Sequence, residues 1–239
     1  MLLATSVLAL AAGTASAQAP DGGRVIAGRA TIESGAARTV VRQSSGRAII
    51  DWRGFDVGRD HSVRFDQPGA RAVTLNRVES GRVSTIAGSI SAPGTVMIQN
   101  GAGVLFTGDA RIDVGGLVAT SGRVDAARFQ SQGTVSIWGG EAGAGRVSNQ
   151  GTITVGEAGL AALVGREVEN SGTIVARSGT VALASGTHTT LDLAGDGMLR
   201  VTVPGEGGRV STTGTIDAGE GRVLLSAPAA AGALDGAIN

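Results

Sequence analysis

Between residues 145 and 225 the chain repeats itself at a fixed step of 21. Gly151-Thr152-Ile153 recurs as Gly172-Thr173-Ile174 and, two steps later, as Gly214-Thr215-Ile216. Gly145-Arg146-Val147-Ser148 returns as Gly208-Arg209-Val210-Ser211 after three steps, and Gly179-Thr180-Val181-Ala182-Leu183 as Gly221-Arg222-Val223-Leu224-Leu225 after two. Such a step is too short for a propeller blade and too rich in β-branched residues for a helical repeat, so it describes one coil of a solenoid built from short strands. In each coil a threonine precedes an isoleucine. Strand alternation then places Thr152, Thr173 and Thr215 toward solvent and Ile153, Ile174 and Ile216 inside.

Composition explains why the chain needs that architecture. Four Phe, two Trp and no Tyr in 239 residues cannot fill a globular core of this size, whereas stacked coils fill their interior with small branched side chains. Glycine, at 40 residues, far exceeds the usual roughly 7% without collagen's one-in-three period. It is expected at the corners, where positive φ turns the chain and the following residues restart a strand.

The apolar stretch Leu2–Ala12, followed by Ala15-Ser16-Ala17 before Gln18, fits a signal peptide cleaved after residue 17, implying the Sec export machinery and signal peptidase as partners. No later run is long and apolar enough to span a bilayer as a helix. The absence of cysteine leaves an exported chain to be stabilised by stacking and backbone hydrogen bonds. Twenty basic residues, all arginine, balance 20 acidic ones with no run of either sign, which argues against nucleic-acid binding.

These features divide the chain into a signal peptide (1–17), an N-terminal cap and first coils (18–80, the cap within 18–50) and β-helix coils of about 21-residue period (81–239). Strands are expected to leave the coil within 100–140, and the coils to continue beyond Asn239. Trp52, Phe55 and Phe65 are the candidates for locking the cap onto the first coil.

The succession Ile50-Asp51-Trp52, Phe55-Asp56-Val57-Gly58, Val63-Arg64-Phe65-Asp66-Gln67-Pro68, Leu75-Asn76-Arg77-Val78, Gly103-Val104-Leu105-Phe106 and Val114-Gly115-Gly116-Leu117-Val118-Ala119 resembles the N-terminal secretion domain of filamentous haemagglutinin-type exoproteins, the passengers of two-partner secretion. The resemblance runs over roughly residues 20 to 225. It implies an all-β fold, a right-handed parallel β-helix (a single-stranded solenoid) with an N-terminal cap and extra-helical strands. It also implies recognition in the periplasm by the POTRA domains of a dedicated outer-membrane β-barrel transporter, and a secreted or cell-surface destination in a Gram-negative bacterium. Asn76, Arg77, Asn100, Gly101, Gly103 and Phe106 are the candidates for partner recognition, with a role as coil turns the alternative. Where the family carries Asn-Pro-Asn-Gly, this chain has Asn100-Gly101-Ala102-Gly103, a more permissive turn.

Parallel β-helices also carry enzymes that act on polysaccharides, through carboxylates grouped along one face. Asp109, Asp113 and Asp125, with Arg111 and Arg123, are the nearest approach to such a set and read instead as solvated turn residues. His61 and His188 lie far apart without cysteine, so neither a metal site nor a cofactor is expected. His61, following Asp60 in a turn, is expected to be exposed. The reading is therefore a non-enzymatic, monomeric secretion-recognition module that starts export and β-helix folding. The alternative is a structural or carbohydrate-binding adhesive solenoid without a dedicated transporter.

Overall fold

In the computed structural model the described residues are 19–131, 134–139, 145–186, 188–192, 199–202 and 208–227. The proposed signal peptide and its cleavage site lie outside them. The chain begins with β1 (Arg24–Ala27) and β2 (Ala30–Ser34), followed by β3 (Arg38–Gln43), β4 (Arg47–Trp52), β5 (Ser62–Asp66) and β6 (Val73–Val78). Next come β7 (Ser84–Ile86), the long β8 (Ser89–Asn100), β9 (Gly103–Phe106) and the long β10 (Arg111–Thr120). A first excursion holds β11 (Arg123–Val124), α1 (Ala126–Ser131) and β12 (Thr134–Trp138). Two coils follow, β13 (Arg146–Asn149), β14 (Thr152–Val155) and β15 (Leu160–Val164), then β16 (Glu167–Asn170), β17 (Thr173–Val175) and β18 (Thr180–Ala184). After a second excursion, β19 (His188–Asp192) and β20 (Leu199–Thr202), the last coil is β21 (Arg209–Thr212), β22 (Thr215–Asp217) and β23 (Arg222–Ser226).

These strands stack into three parallel ladders, so the fold is the parallel β-helix that the repeat predicts. One ladder runs β3, β5, the start of β8, the start of β10, β14, β17 and β22. The second runs β4, β6, the end of β8, the end of β10, β15, β18 and β23. The third is β7, β9, β13, β16 and β21. A register shift between Val114 and Gly116 lets one long strand serve two ladders by bending at the corner. At the N-terminal end β2 adds antiparallel to β3 and β1 antiparallel to β4, covering strand edges that would otherwise be open to pairing.

Inside, Ile153, Ile174 and Ile216 form a buried column, while Thr152 and Thr173 are half-buried and Thr215 exposed. The corner glycines depart from expectation. Among the described glycines positive φ occurs at Gly22, Gly28, Gly81, Gly103 and Gly219, not at Gly151, Gly172 or Gly214. Those three are glycine because coils stack so closely: a Cβ on Gly172 would collide with the carbonyl oxygen of Gly151, and one on Gly214 with that of Gly172. Close approach of backbones, rather than left-handed geometry, is the requirement there.

The repeat also conceals a difference in topology. Thr173 pairs directly with Thr215, Thr180 with Arg222 and Glu167 with Arg209, so a separation of two repeat steps is one coil plus the β19–β20 excursion. The stretch read as an intervening coil leaves the solenoid. β12 pairs antiparallel with both β11 and β19, and β19 with β20, so the two excursions join in one four-stranded sheet. Val124, Phe129, Val135, Ile137 and Leu191 from this appendage pack on Ile49, Val73, Leu75, Met97, Val118, Ala162, Val164, Ala182 and Ala184, forming a second apolar cluster outside the coil interior. That is why the second ladder reads as near-continuous apolar runs rather than alternating ones: both of its faces are covered.

Candidate partner-recognition region

Trp52, Phe55 and Phe65 all lie in the coil interior. Trp52 meets Phe55 edge to face at a centroid separation of 5.3 Å, the arrangement that aromatic quadrupoles favour. Its indole Nε1 donates to Asn76 Oδ1 at 3.0 Å, and Asn76 Nδ2 donates to the Met97 carbonyl at 3.0 Å. One chain of hydrogen bonds thus links β4, β6 and β8 through the core. Arg77, facing the other way on β6, grips Asp51 with two bonds, Nε to Oδ1 at 2.6 Å and Nη2 to Oδ2 at 2.9 Å. The planar guanidinium matches the carboxylate edge, which fixes the register of β6 on β4.

Asn100 closes β8 from inside. Its Nδ2 donates to the Arg82 carbonyl at 2.8 Å and to Ser84 Oγ at 2.9 Å, while its Oδ1 accepts from the Ala102 amide at 3.0 Å. That last contact supplies the local turn bond, so Asn100 itself organises the Asn-Gly-Ala-Gly corner. Gly101 offers its carbonyl to the Gly145 amide at 3.1 Å. Gly103 has φ of 116°, and a Cβ there would collide with the Arg146 carbonyl oxygen; both conditions demand glycine. Phe106 is fully buried in the third ladder between Ile86 and Asn149.

The six candidates therefore fall into two adjoining structural groups, around β6 and around the β8–β9 corner. Asn76, Asn100, Gly103 and Phe106 are buried, and Arg77 and Gly101 half-buried. The side chains of Asn76, Arg77, Asn100 and Phe106 are engaged by the coils themselves.

Other residues take different places from those their sequence context suggests. His61 is not exposed: its turn folds inward, leaving 2% of the residue accessible, with Nε2 3.0 Å from Thr39 Oγ1. The His61 backbone, accepting from the Ser89 amide at 3.2 Å, ties that turn to the next coil. Asp109 pairs with Arg59 at 2.6 Å. Asp125 caps α1 by accepting from the Ala127 and Arg128 amides at 3.0 and 3.1 Å, the usual work of an aspartate at a helix start. Arg47 lies over the Phe129 ring at 5.3 Å and donates to the Phe129 carbonyl. Burial lowers its pKa from the usual arginine value. Among the described residues no group of three His, Cys, Asp or Glu side chains could hold a metal ion.

Two features were not singled out in the sequence. Asn149 donates to Asn170 Oδ1 at 2.8 Å and Asn170 to Thr212 Oγ1 at 3.2 Å, a buried polar ladder up the third sheet. The recurrence of Asn two residues before Gly-Thr-Ile, at 149 and 170, is its signature in the repeat. The second is a stacked pair on the appendage, Trp138 and His188, 50 positions apart; no local pattern connects them.

Comparison with known proteins places this architecture. The secretion domain of HMW1 from Haemophilus influenzae has the same fold, with a TM-score of 0.80 and 25% identity over 87% of this chain and 57% of that one. A heme/hemopexin-binding protein of Haemophilus influenzae is 40% identical over 119 residues, 48% of this chain and 13% of that protein. Its counterpart in strain ATCC 51907 / DSM 11121 / KW20 / Rd is 32% identical over 180 residues, 73% of this chain and 20% of that protein. The chain thus matches a minor part of the length of these relatives. The TPS secretion domain model matches residues 15–239, and with the shared β-helix it shows that this chain belongs to the TPS secretion domain family, whose members are non-catalytic modules of proteins exported through the periplasm to the Gram-negative cell surface.

Proposed function

We propose that this chain is the module by which a longer exoprotein is recognised by the POTRA domains of its outer-membrane transporter, and that it acts in two successive forms. In the periplasm the unfolded chain is read as an extended segment, by strand addition through backbone hydrogen bonds that tolerate a low-complexity sequence. Outside the cell the capped N-terminal coils fold first and serve as the template for the rest, because each coil gains hydrogen bonds and burial only against a neighbour already in place. Folding on the far side then opposes return through the pore without any nucleotide.

The observation that carries this reading is the burial of Asn76, Asn100 and Phe106. Side chains so enclosed are accessible to a partner only before the coils close. The test is calorimetry with the POTRA pair of the genomically adjacent transporter, offered either the folded chain or the chain freshly diluted from urea. Binding of the diluted chain, at least about tenfold tighter than of the folded one, is the expected result; each factor of ten corresponds to about 1.4 kcal/mol. Absence of binding to either form overturns the proposal. Asn100→Ala separates recognition from packing: loss of binding by the unfolded chain assigns Asn100 to the partner, whereas unchanged binding with a lower melting temperature assigns it to the fold alone.

A further inference from the structure

Aromatic side chains in this protein are scarce and almost all enclosed. Trp52, Phe55, Phe65, Phe106 and Phe129 are at most 1% exposed, yet Trp138 is 48% exposed. It stands at the end of β12, where the His188 ring stacks on its indole at 4.0 Å with 17° between the planes. The two residues are direct cross-strand partners, and Arg123 of β11 pairs with Trp138 on the other side. Arg123, Trp138 and His188 therefore form one row across three strands of the appendage.

Strand alternation fixes the face on which this row lies. Val124, Val135, Ile137 and Leu191 point toward the solenoid, so Arg123, Ser136, Trp138, His188 and Thr190 share the opposite face. Arg123 makes no ion pair or side-chain hydrogen bond among the described residues, and His188 Nε2 has no partner there. Among the described residues the row thus combines an exposed indole, a guanidinium without an ion pair and the half-buried Thr190, whereas Ser136 on the same face is itself buried.

We propose that this face binds acidic saccharide, with a pyranose ring lying on the Trp138 indole and its carboxylate held by Arg123. An indole presents an electron-rich face to the polarised C–H groups of a sugar, while Arg offers a fork of donors that fits a carboxylate. His188 positions the indole by stacking. A cationic ligand would meet Arg123, and one tryptophan on a polar face offers too little apolar area for lipid insertion or for a porphyrin, which needs an apolar cleft. The row is carried by the appendage and shares no residue with the recognition candidates on β6 and at the β8–β9 corner, although the Val124 amide beside Arg123 donates to Gln99 Oε1 of β8 at 3.0 Å.

The test uses the full chain and calorimetric titration with tetragalacturonate and with its fully methyl-esterified form, which keeps the rings and removes the charge. The expected result is saturable binding of the acid, about tenfold weaker for the ester, a factor corresponding to about 1.4 kcal/mol. Trp138→Ala should weaken both ligands at least about tenfold, and Trp138→Phe should retain most of the affinity. Arg123→Gln should reduce the acid to the level of the ester and leave the ester unchanged. Matched thermal melts verify that each variant is folded. No saturable binding, equal affinity for acid and ester, or affinity unaffected by Trp138→Ala or Arg123→Gln overturns the proposal.

Discussion

Asn100 concentrates three hydrogen bonds in one buried side chain, joining β8 to the Ser80–Ser84 stretch and to its own turn. Replacing it with Ala leaves buried donors and acceptors unpaired, each costing of order 1–3 kcal/mol. We expect Asn100→Ala to lower unfolding stability by about 2–3 kcal/mol, measurable by urea denaturation of the folded chain. Ile174 is a different kind of residue. It is fully buried in the apolar cluster of the stacked column, so Ile174→Asp would place an unpaired charge there at a cost of about 4 kcal/mol or more. Circular dichroism should show a frayed or unfolded product, while Thr173→Asp at the half-exposed neighbouring position should remain folded. A reversal of that order would mean the alternation has been assigned to the wrong faces.

At the scale of elements, the two excursions form a cover that the solenoid requires. The outer face of the second ladder carries Ile49, Leu75, Met97, Val118, Ala162 and Ala182 in register, an apolar stripe that would otherwise face water. Excising 187–207 removes the length of one repeat and leaves β18 leading into β21 in the same register. The expected product keeps its parallel coils by far-ultraviolet circular dichroism but melts at a lower temperature and binds a hydrophobic dye; loss of all β signal would show that the appendage is needed for folding itself. Arg47 pins the appendage to the first coils through Phe129. In Arg47→Gln, faster hydrogen exchange should be confined to α1 and β12, with β14 and β17 unchanged.

Across the whole molecule, large buried side chains are distributed unevenly. Trp52, Phe55, Phe65 and Phe106 all occupy the N-terminal coils, whereas the interior from β13 onward is built of Val, Ile, Leu and Ala. Each coil contacts chiefly its neighbours, so local stability follows local burial. Native-state hydrogen exchange should therefore show the slowest amides in β4, β6 and β8 and the fastest in β21, β22 and β23. A uniform rate along the solenoid would mean that it unfolds as a single unit, and would weaken the idea that the N-terminal coils act as a template.

The 21-residue step, with isoleucine one place after threonine, was enough to specify a β-solenoid and its inner column, because alternation and stacking are local rules that every coil repeats. The blocks from Ile50 to Ala119 added the family. Trp52, Phe55 and Phe65, expected from the sequence to lock the cap onto the first coil, lie in the coil interior. Sequence did not reveal that the stretch before Gly208 leaves the coil, because an excursion one repeat long preserves the period on both sides. Nor did it reveal the burial of His61, whose turn looks solvated until Thr39 and Ser89 are brought against it. Periodicity determines what each strand presents to its neighbours above and below; only long-range pairing decides which strands are neighbours, as when β12 and β19 meet and set Trp138 against His188.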